Sequence, residues 1–205
     1  ADEIESQGFR GMSCRIHTPH GSFSALIPIP GRHMVYNALA GTAVGCMYGL
    51  TLEQIKQGIE TLQSVSGRFH IIETGKYTVV DDCYNANPVS MKASLDVLKE
   101  AKGRKVAVLG DMGELGSEEK KLHGMVGTHF AGKKIDALFV TGTLAGEIAE
   151  EARRVAPETR VYAEPDKEAL AQALLDCRRP GDTILVKAPH FMGFSEIVKK
   201  LEQPQ

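Results

Sequence analysis

The chain has 205 residues, and 24 Lys and Arg against 26 Asp and Glu leave a formal net charge of −2 at pH 7. This near-neutral balance argues against binding nucleic acid or an anionic membrane through bulk electrostatics, and the length allows a core without metal or disulfide support. No apolar run approaches the roughly 18 residues that a membrane-spanning helix needs, so we expect no membrane insertion.

Residues 1–68 predict a hairpin followed by two helices. Apolar and polar residues alternate across 9–29 around a turn at Pro19-His20-Gly21, which is typical of a β-hairpin. Small and apolar residues recur every three or four positions from His33 to Tyr48, which predicts a helix with one tightly packed face. Thr51-Leu52-Glu53-Gln54 predicts the capped start of a helix that runs to about Gln63, and small residues at 64–68 predict a domain boundary near residue 68.

After this boundary, strands and helices alternate. Strands are predicted at His70–Glu73 and Tyr77–Asp82, and further short apolar or β-rich runs predict strands at 106–109, 137–141, 159–163 and 183–186. Helical stretches are predicted at about 88–102, 117–131, 144–155, 166–178 and 194–202. Strands separated by helices of this length form βαβ units, so we expect an α/β fold with a mainly parallel sheet and helices on both faces.

The four cysteines indicate a reducing compartment. They lie far apart, at Cys14, Cys46, Cys83 and Cys177, and form no C-x-x-C pair. Such spacing fits neither a zinc ribbon nor a disulfide framework, and residues 1–5 show no signal-peptide pattern, so we expect a cytoplasmic protein. The chain starts at Ala1 without an initiating Met, which suggests a piece of something longer.

Three predicted strand ends carry candidate site residues, because ligands of open parallel sheets bind beyond the carboxyl ends of the strands. Segment 81–88 offers two carboxylates, a phenol and two side-chain amides, although turn and N-cap roles explain the same residues equally well. Segment 110–116 is glycine-rich, and its Asp111 or Glu114 could hold a metal or an ammonium group, unless it is a plain loop. Lys187, after the last strand, could balance a phosphate or carboxylate or simply be solvated.

Several kinds of site find no support in the sequence. The seven histidines show no H-E-x-x-H or H-x-H spacing, so a zinc site built by this chain is not expected. There is no G-x-S-x-G nucleophile elbow and no G-x-x-x-x-G-K-[ST] phosphate loop. A chain that handled ATP alone would therefore lack the usual phosphate cradle.

Two long strings resemble the Mur ligase family. Residues 81–91 match D-[DS]-x-Y-N-A-N-P-x-S-M and residues 110–116 match G-D-M-x-E-L-G, the strings of the branch that adds D-Ala-D-Ala. Residues 26–40 resemble the family segment P-G-x-H-N-x-x-N-A-L-A, and residues 67–69 match G-R-[MLF]. The resemblance extends over essentially the whole chain.

The resemblance implies a domain assignment. Such ligases have a UDP-sugar domain, a central P-loop ATPase domain and a C-terminal Rossmann-like domain. Residues 1–68 would then be the last hairpin and helices of the central domain, without its P-loop, and residues 69–205 the whole C-terminal domain. The P-loop lysine and the Mg²⁺ ligands would precede Ala1, and we expect no metal site and no certain catalytic residue in this chain.

The resemblance also implies roles for individual residues. Those implied to bind ATP are Asn37 at the adenine, Arg68 at the ribose and phosphates, Asp82 at the ribose hydroxyls, and Tyr84, Asn85 and Asn87 beside the nucleotide. Those implied to hold the incoming amino component are Asp111, Lys187 and His190. The sequence departs from the family pattern at Met34, in place of an asparagine, at Pro189-His190, in place of Ser-Arg, and at Ser195, in place of an acidic residue.

The function implied is that of an ATP-dependent amide-bond ligase of peptidoglycan precursor synthesis. ATP would phosphorylate the terminal carboxylate of UDP-MurNAc-tripeptide, and the amine of D-Ala-D-Ala would attack the acyl phosphate. We expect small-molecule substrates, no nucleic-acid partner, a monomer, and no turnover by this closing half alone.

Two alternatives stay open beside this function. One is a sibling Mur ligase that adds diaminopimelate or lysine, although the D-N-P-R string of diaminopimelate addition is absent. The other is a non-catalytic nucleotide-binding or docking module, which the missing P-loop favours and the retained Arg68, Asp82, Asn85 and Asn87 disfavour.

Overall fold

The computed structural model describes residues 1–203 and divides into two compact units, the first spanning Ala1–Ser64 and the second beginning at Val65. The strands and helices of the first unit are β1 (Asp2–Ser6), β2 (Met12–Thr18), β3 (Gly21–Ile27), α1 (His33–Met47) and α2 (Leu52–Glu60). The three strands form one antiparallel sheet in the order β1-β2-β3. The predicted hairpin and both helices are confirmed, and α2 ends at Glu60, before the predicted Gln63.

Strand β1 is an element that the sequence did not predict. Its residues, D-E-I-E-S, are exposed or half-buried throughout and contain one apolar side chain, so no alternation marks the strand. The predicted cap of α2 is present, since the Thr51 hydroxyl accepts from the Gln54 N–H at 3.2 Å and the Gln54 side chain accepts from the Thr51 N–H at 2.9 Å. Helix α1 buries Val35 and Ala38 in the core of this unit.

Helix α1 also carries exposed apolar residues, namely Tyr36, Val44 and Met47, and exposed Tyr48 follows directly at its end. The helix is therefore apolar on more than the face that its own unit buries. Such a helix is typical of an element in a larger layered structure.

The second unit is the predicted α/β fold. Its strands are β4 (His70–Glu73), β5 (Thr78–Asp82), β6 (Lys105–Gly110), β7 (Ala137–Thr141), β8 (Arg160–Ala163) and β9 (Thr183–Lys187). They form one sheet in the order β4-β5-β9-β6-β7-β8, in which only β4 is antiparallel to its neighbour. Its α-helices are α3 (Pro88–Lys99), α4 (Glu119–Thr128), α5 (Ala145–Val155), α6 (Lys167–Cys177) and α7 (Ser195–Glu202).

Both faces of this sheet are buried. Val79, Val108 and Phe139 point to one face, where they share a core cluster with residues of α6 and α7. The alternate residues, such as Val80 and Leu109, are also fully buried, and helices α3 and α5 contact the same strands. Strands of a parallel sheet that is covered on both sides need apolar residues at every position, and this explains the continuous apolar runs in these strands. Within residues 1–203, no helix is long and apolar enough to cross a membrane.

Candidate functional site

The candidate site lies where strands β5, β9 and β6 end side by side. The parallel register places Lys187 of β9 between Asp82 of β5 and Leu109 of β6. The three segments that the sequence singled out, after residues 81, 109 and 186, therefore leave the sheet at one edge. This is the edge at which open parallel sheets bind ligands.

Lys187 and Asp82 form a buried ion pair at this edge. The Lys187 ammonium donates to Oδ2 of Asp82 at 2.7 Å and to the Asn85 carbonyl at 3.0 Å, and the Lys187 residue is only 2% exposed. Burying an ammonium group costs several kcal/mol unless it is paired and hydrogen-bonded, and these two contacts supply the compensation. The interpretation of Lys187 as a merely solvated residue is therefore wrong.

The Asp82 carboxylate has two further partners within the fold. Its Oδ1 accepts from the Phe69 N–H at 3.2 Å, and its Oδ2 also accepts from the Ser94 hydroxyl at 2.7 Å. A carboxylate offers about four lone-pair positions, and three donors already occupy this one. One position is left for a ligand hydroxyl, not the two that binding both ribose hydroxyls would use.

Asp81, next to Asp82, fastens the preceding segment to the end of β5. Its Oδ2 accepts from the Gly67 N–H at 2.7 Å and from the Ser66 hydroxyl at 3.1 Å, and the residue is 3% exposed. Gly67 has φ +79°, and a Cβ there would lie 3.3 Å from the Cβ of Tyr84. The chain therefore needs a glycine at this position, directly before Arg68.

An exposed polar rim surrounds the buried pair. The Arg68 guanidinium lies 4.1 Å from the centroid of the Tyr84 ring, which is typical of a cation–π contact. The backbone N–H of His190 donates to the backbone carbonyl of Tyr84 at 3.1 Å, and this hydrogen bond joins the loops after β9 and β5. Asn85 is exposed beside Tyr84, and its side-chain oxygen accepts from the Ala86 N–H at 2.8 Å. Exposed guanidinium, phenol and amide groups thus lie next to the buried carboxylate, and the backbone of His190 joins their loop.

Asn87 has the N-cap role that its position allowed. Its side-chain oxygen accepts from the Ser90 N–H at 2.9 Å, and the Ser90 hydroxyl accepts from the Asn87 N–H at 3.1 Å. Pro88 follows at the first position of α3, where its missing N–H is not needed. The segment therefore ends in a rigid strand-to-helix turn.

Asp111 lies at the same edge of the sheet, but its side chain contacts the start of α5. Its carboxylate accepts from the N–H groups of Thr143, Leu144 and Ala145 at 2.8, 2.9 and 2.6 Å, at the start of α5. A carboxylate at a helix N-terminus is stabilised by the orphan N–H groups and by the helix dipole. The structure therefore directs Asp111 to α5 and not to Asp82.

The glycine-rich loop after β6 is anchored by a residue that sequence reasoning missed. His123 is fully buried in α4, where its Nε2 accepts from the Met112 N–H at 2.8 Å and its Nδ1 lies 2.7 Å from the Glu119 carbonyl. An N–H donor at Nε2 and a carbonyl at Nδ1 assign the hydrogen to Nδ1 of a neutral ring. No local motif marks this histidine.

Ser94 is the other missed contributor, and a signal for it existed. It is the polar member of the buried stripe of α3, which also contains Met91, Leu95 and Leu98. A serine on an apolar helix face needs a hydrogen-bond partner, and its hydroxyl lies 2.7 Å from Oδ2 of Asp82 and 2.9 Å from the Ser90 carbonyl.

Cys83 lies inside the site segment but is chemically protected. It is 4% exposed, and its thiol donates to the Val186 carbonyl at 3.3 Å. Burial raises the pKa of this thiol, and the neighbouring negative charge of Asp81 raises it further. Because the thiolate is the nucleophilic form, Cys83 is not a candidate nucleophile.

Asn37 belongs to the first unit. It is exposed on α1, and its side-chain amide lies 3.3 Å from the sulfur of Met34. The amide thus contacts the residue that departs from the family pattern. The other predicted site residues all belong to the second unit.

The described residues do not fit a metal site. Among residues 1–203, no group of three or more His, Cys, Asp or Glu side chains is arranged to hold a metal ion.

Comparison with known proteins identifies relatives of this chain. UDP-N-acetylmuramoyl-tripeptide–D-alanyl-D-alanine ligase of Bacillus subtilis (strain 168) is 39% identical over 178 residues, which cover 85% of this chain and 39% of that protein. The ligase of the same name from Escherichia coli (strain K12) is 36% identical over 197 residues, 94% of this chain and 42% of that protein. The chain thus spans about two fifths of the length of these curated relatives.

A solved structure and a family model agree with these relatives. A crystal structure of MurF from Acinetobacter baumannii superposes with a TM-score of 0.85 at 31% identity, over 98% of this chain and 44% of that one. The family model described as the Mur ligase, glutamate ligase domain, matches residues 67–190, which include the whole strand-end site of the second unit. With more than half of its residues in that match, the chain belongs to the Mur ligase family.

Proposed function

We propose that this chain is the C-terminal part of an ATP-dependent ligase that adds D-Ala-D-Ala to UDP-MurNAc-tripeptide. The observation that carries the proposal is the buried Asp82–Lys187 pair beneath the rim of Arg68, Tyr84 and His190, built from segments that resemble this branch. The name of the relatives at 39% and 36% identity supports the same substrates.

The domain assignment is part of the proposal. Residues 1–68 are the C-terminal part of a central ATPase domain, and residues 69–205 are the C-terminal Rossmann-like domain. This boundary lies four positions after the division between the two compact units, at Ser64 and Val65, so Arg68 is the last residue before it. The exposed apolar residues of α1, with Tyr48 at its end, support the first assignment, because an element of a larger layered domain is apolar on more than one face.

ATP is bound by the rim and by the buried carboxylate. Asp82 accepts one ribose hydroxyl in its remaining lone-pair position, and the Arg68 guanidinium contacts phosphate oxygens, which its planar fork matches. Tyr84, Asn85 and Asn87 flank the nucleotide. Mg²⁺, which neutralises phosphate charge in such reactions, is held by residues outside 1–203.

The acceptor side is formed by the loops after β9 and β6. His190 is exposed in a short helical turn and is available to the incoming dipeptide. Lys187 and Asp111 do not contact the substrate directly in this proposal, because the Lys187 side chain holds the Asp82 loop and the Asp111 side chain holds the start of α5. In this proposal they position the groups that touch substrate.

The chemistry is carboxylate activation. The tripeptide carboxylate attacks the γ-phosphorus of ATP and releases ADP, and the dipeptide amine then attacks the acyl phosphate carbon. The tetrahedral intermediate loses phosphate and a proton to leave the amide. Catalysis by this half consists of positioning and charge stabilisation, so the half does not turn over alone. We place the protein in the cytoplasm, since all four cysteines are free thiols. We also propose that it acts as a monomer.

One observation favours a second candidate. Pro189-His190 stand where the resemblance predicts Ser-Arg, beside the proposed acceptor site. A sibling ligase that adds a different amino acid fits this change.

The test is an assay of the natural protein that contains these residues, with UDP-MurNAc-tripeptide, ATP and Mg²⁺. We expect ADP release that depends on D-Ala-D-Ala, a product heavier by the dipeptide, and a raised KM for ATP in Arg68→Ala. Arg154→Ala, which removes an exposed arginine paired with Glu151, is the control and should leave the KM unchanged. A requirement for diaminopimelate or lysine would assign the sibling, whereas ATP binding without ADP release under any condition would assign the non-catalytic module.

A further inference from the structure

The second unit contains a cavity that the proposed ligase site does not use. Its volume is about 500 Å³. We call it the arginine cavity. It is lined by Arg160, Tyr162, Ala173, Asp176, Cys177, Arg178 and Arg179.

The arginine cavity lies at the opposite edge of the sheet from the candidate site. Arg160 is the first residue of β8, and Arg178 and Arg179 follow α6 and lead into β9. These are the amino ends of the strands, whereas Asp82 and Lys187 are at the carboxyl ends. Strand β9 alone separates the two edges by about 13 Å, at roughly 3.3 Å per residue.

The lining carries an excess of positive charge. Within residues 1–203, neither the Arg160 nor the Arg179 side chain forms an ion pair, although the Arg179 backbone N–H donates to the buried Asp182 carboxylate at 2.8 Å. The one carboxylate of the lining, Asp176, accepts a hydrogen bond from Gln172 at 2.8 Å. A further guanidinium lies directly behind Cys177, since Arg104 approaches its sulfur at 3.1 Å and donates to Asp182 at 2.8 Å. Several arginines around one concave surface raise the local positive potential, which attracts anions.

The walls of the cavity are held in place by the fold. The Tyr162 ring stacks on Phe139 with centroids 4.4 Å apart, and its hydroxyl lies 3.8 Å from the Cys177 sulfur. Arg178 donates to the Leu175 carbonyl at the end of α6. A site whose groups are already ordered loses less entropy when a ligand binds.

We propose that the arginine cavity binds a small anion that carries phosphate groups. The guanidinium fork matches phosphate oxygens in bidentate geometry, and three arginines line this one cavity. The volume falls in the range of small-ligand sites and accommodates a pyrophosphate or a nucleotide. This inference is independent of the proposed ligase function, because it uses none of the residues at the carboxyl edge.

Cys177 provides a local readout of occupancy. It is half-buried and lines the cavity, and Cys46 is a half-buried cysteine of the first unit that serves as the internal control. The probe is inorganic pyrophosphate, and iodoacetamide alkylation of both cysteines is followed by mass spectrometry. We expect pyrophosphate at about ten times its Kd to slow alkylation of Cys177 about tenfold and to leave Cys46 unchanged.

A pair of charge-matched variants decides the proposal. Arg160→Gln with Arg179→Gln should abolish the protection of Cys177, whereas Arg10→Gln with Arg15→Gln, in the first unit, should retain it. A rise in the thermal midpoint with pyrophosphate, lost only in the first variant, is the second measurement and does not depend on thiol reactivity. Protection equalled by potassium chloride at the same ionic strength, or by citrate, would overturn the assignment to phosphate. Protection retained in the first variant would overturn the assignment to this cavity.

Discussion

The ammonium of Lys187 lies 2.7 Å from the carboxylate of Asp82, although 105 positions separate them in the chain. The parallel register of β5 and β9 makes them direct neighbours at the ends of two adjacent strands. The pair ties the loop after β5, with the Asn85 carbonyl as third partner, to the end of the central strand. The candidate site is therefore built on a rigid part of the sheet.

Removing the Lys187 charge should strongly destabilise the second unit. In Lys187→Met the Asp82 carboxylate is left buried without its cation, so we expect the free energy of unfolding to fall by about 3–5 kcal/mol. Urea denaturation followed by circular dichroism measures the change. Adding Asp82→Asn to this variant should recover part of the loss, because the uncompensated charge is then gone.

A surface pair supplies the matched control for Lys187→Met. Lys200 lies 2.6 Å from Glu168, and the two side chains are 39% and 68% exposed, against 2% and 13% for Lys187 and Asp82. Lys200→Met should therefore cost no more than about 1 kcal/mol. Equal losses in the two variants would show that burial of the Lys187 pair has no energetic weight.

Gly142 should not tolerate a side chain, because it lies against the Asp111 carboxylate. Its φ is +131°, and a Cβ there would be 2.3 Å from Oδ1 of Asp111. Gly142→Ala should cost well over about 1 kcal/mol, since the backbone is strained and the three hydrogen bonds to α5 must shift. The thermal midpoint reports the loss.

Gly146, four residues further on in α5, is the control for Gly142. It has an ordinary helical backbone and nothing within 4 Å of its Cβ position. Gly146→Ala should raise the stability by about 0.5–1 kcal/mol, because alanine lowers the entropy of the unfolded chain. If Gly142→Ala behaved in the same way, the close approach to Asp111 would be refuted.

Cys83 should resist thiol reagents in the folded protein. Burial and the charge of Asp81 raise the pKa of this thiol, so it carries almost no thiolate at pH 8. Native protein treated with iodoacetamide should be modified at Cys46 and Cys177 well before Cys83, and all should react in denaturant. Rapid native modification of Cys83, located by peptide mass spectrometry, would mean that the site segment opens.

The contribution of Asp96 to the stability of the second unit should be lost in acid. Burial acts to raise the pKa of its carboxyl, but the Lys133 ammonium and the His129 ring outweigh it, and the pKa lies below its ordinary value. A depressed native pKa means that Asp96 stabilises the fold above about pH 4 and that this contribution is lost as the pH falls through the native pKa. The stability gap between wild type and Asp96→Asn, measured in urea, should shrink below about pH 4. A gap that widens in acid would contradict the sign.

Local patterns were sufficient for most of the fold. The two-residue alternation around Pro19-His20-Gly21, the capping box at Thr51 and the alternation of apolar strands with helices after residue 69 are each decided within a few neighbouring residues. The N-cap role of Asn87 is of the same kind. Strand β1 was missed because an exposed edge strand with one apolar residue carries no such pattern.

The sequence indicated which residues form the candidate site, but not which side chains contact one another there. The strand-end rule places the loops after β5, β6 and β9 at one edge, and the structure has them there. Whether Lys187 faces solvent or Asp82, and whether Asp111 faces a ligand or α5, depends on strand register and on helix placement. Both are set by burial of side chains from distant parts of the chain, so only the tertiary structure decided them.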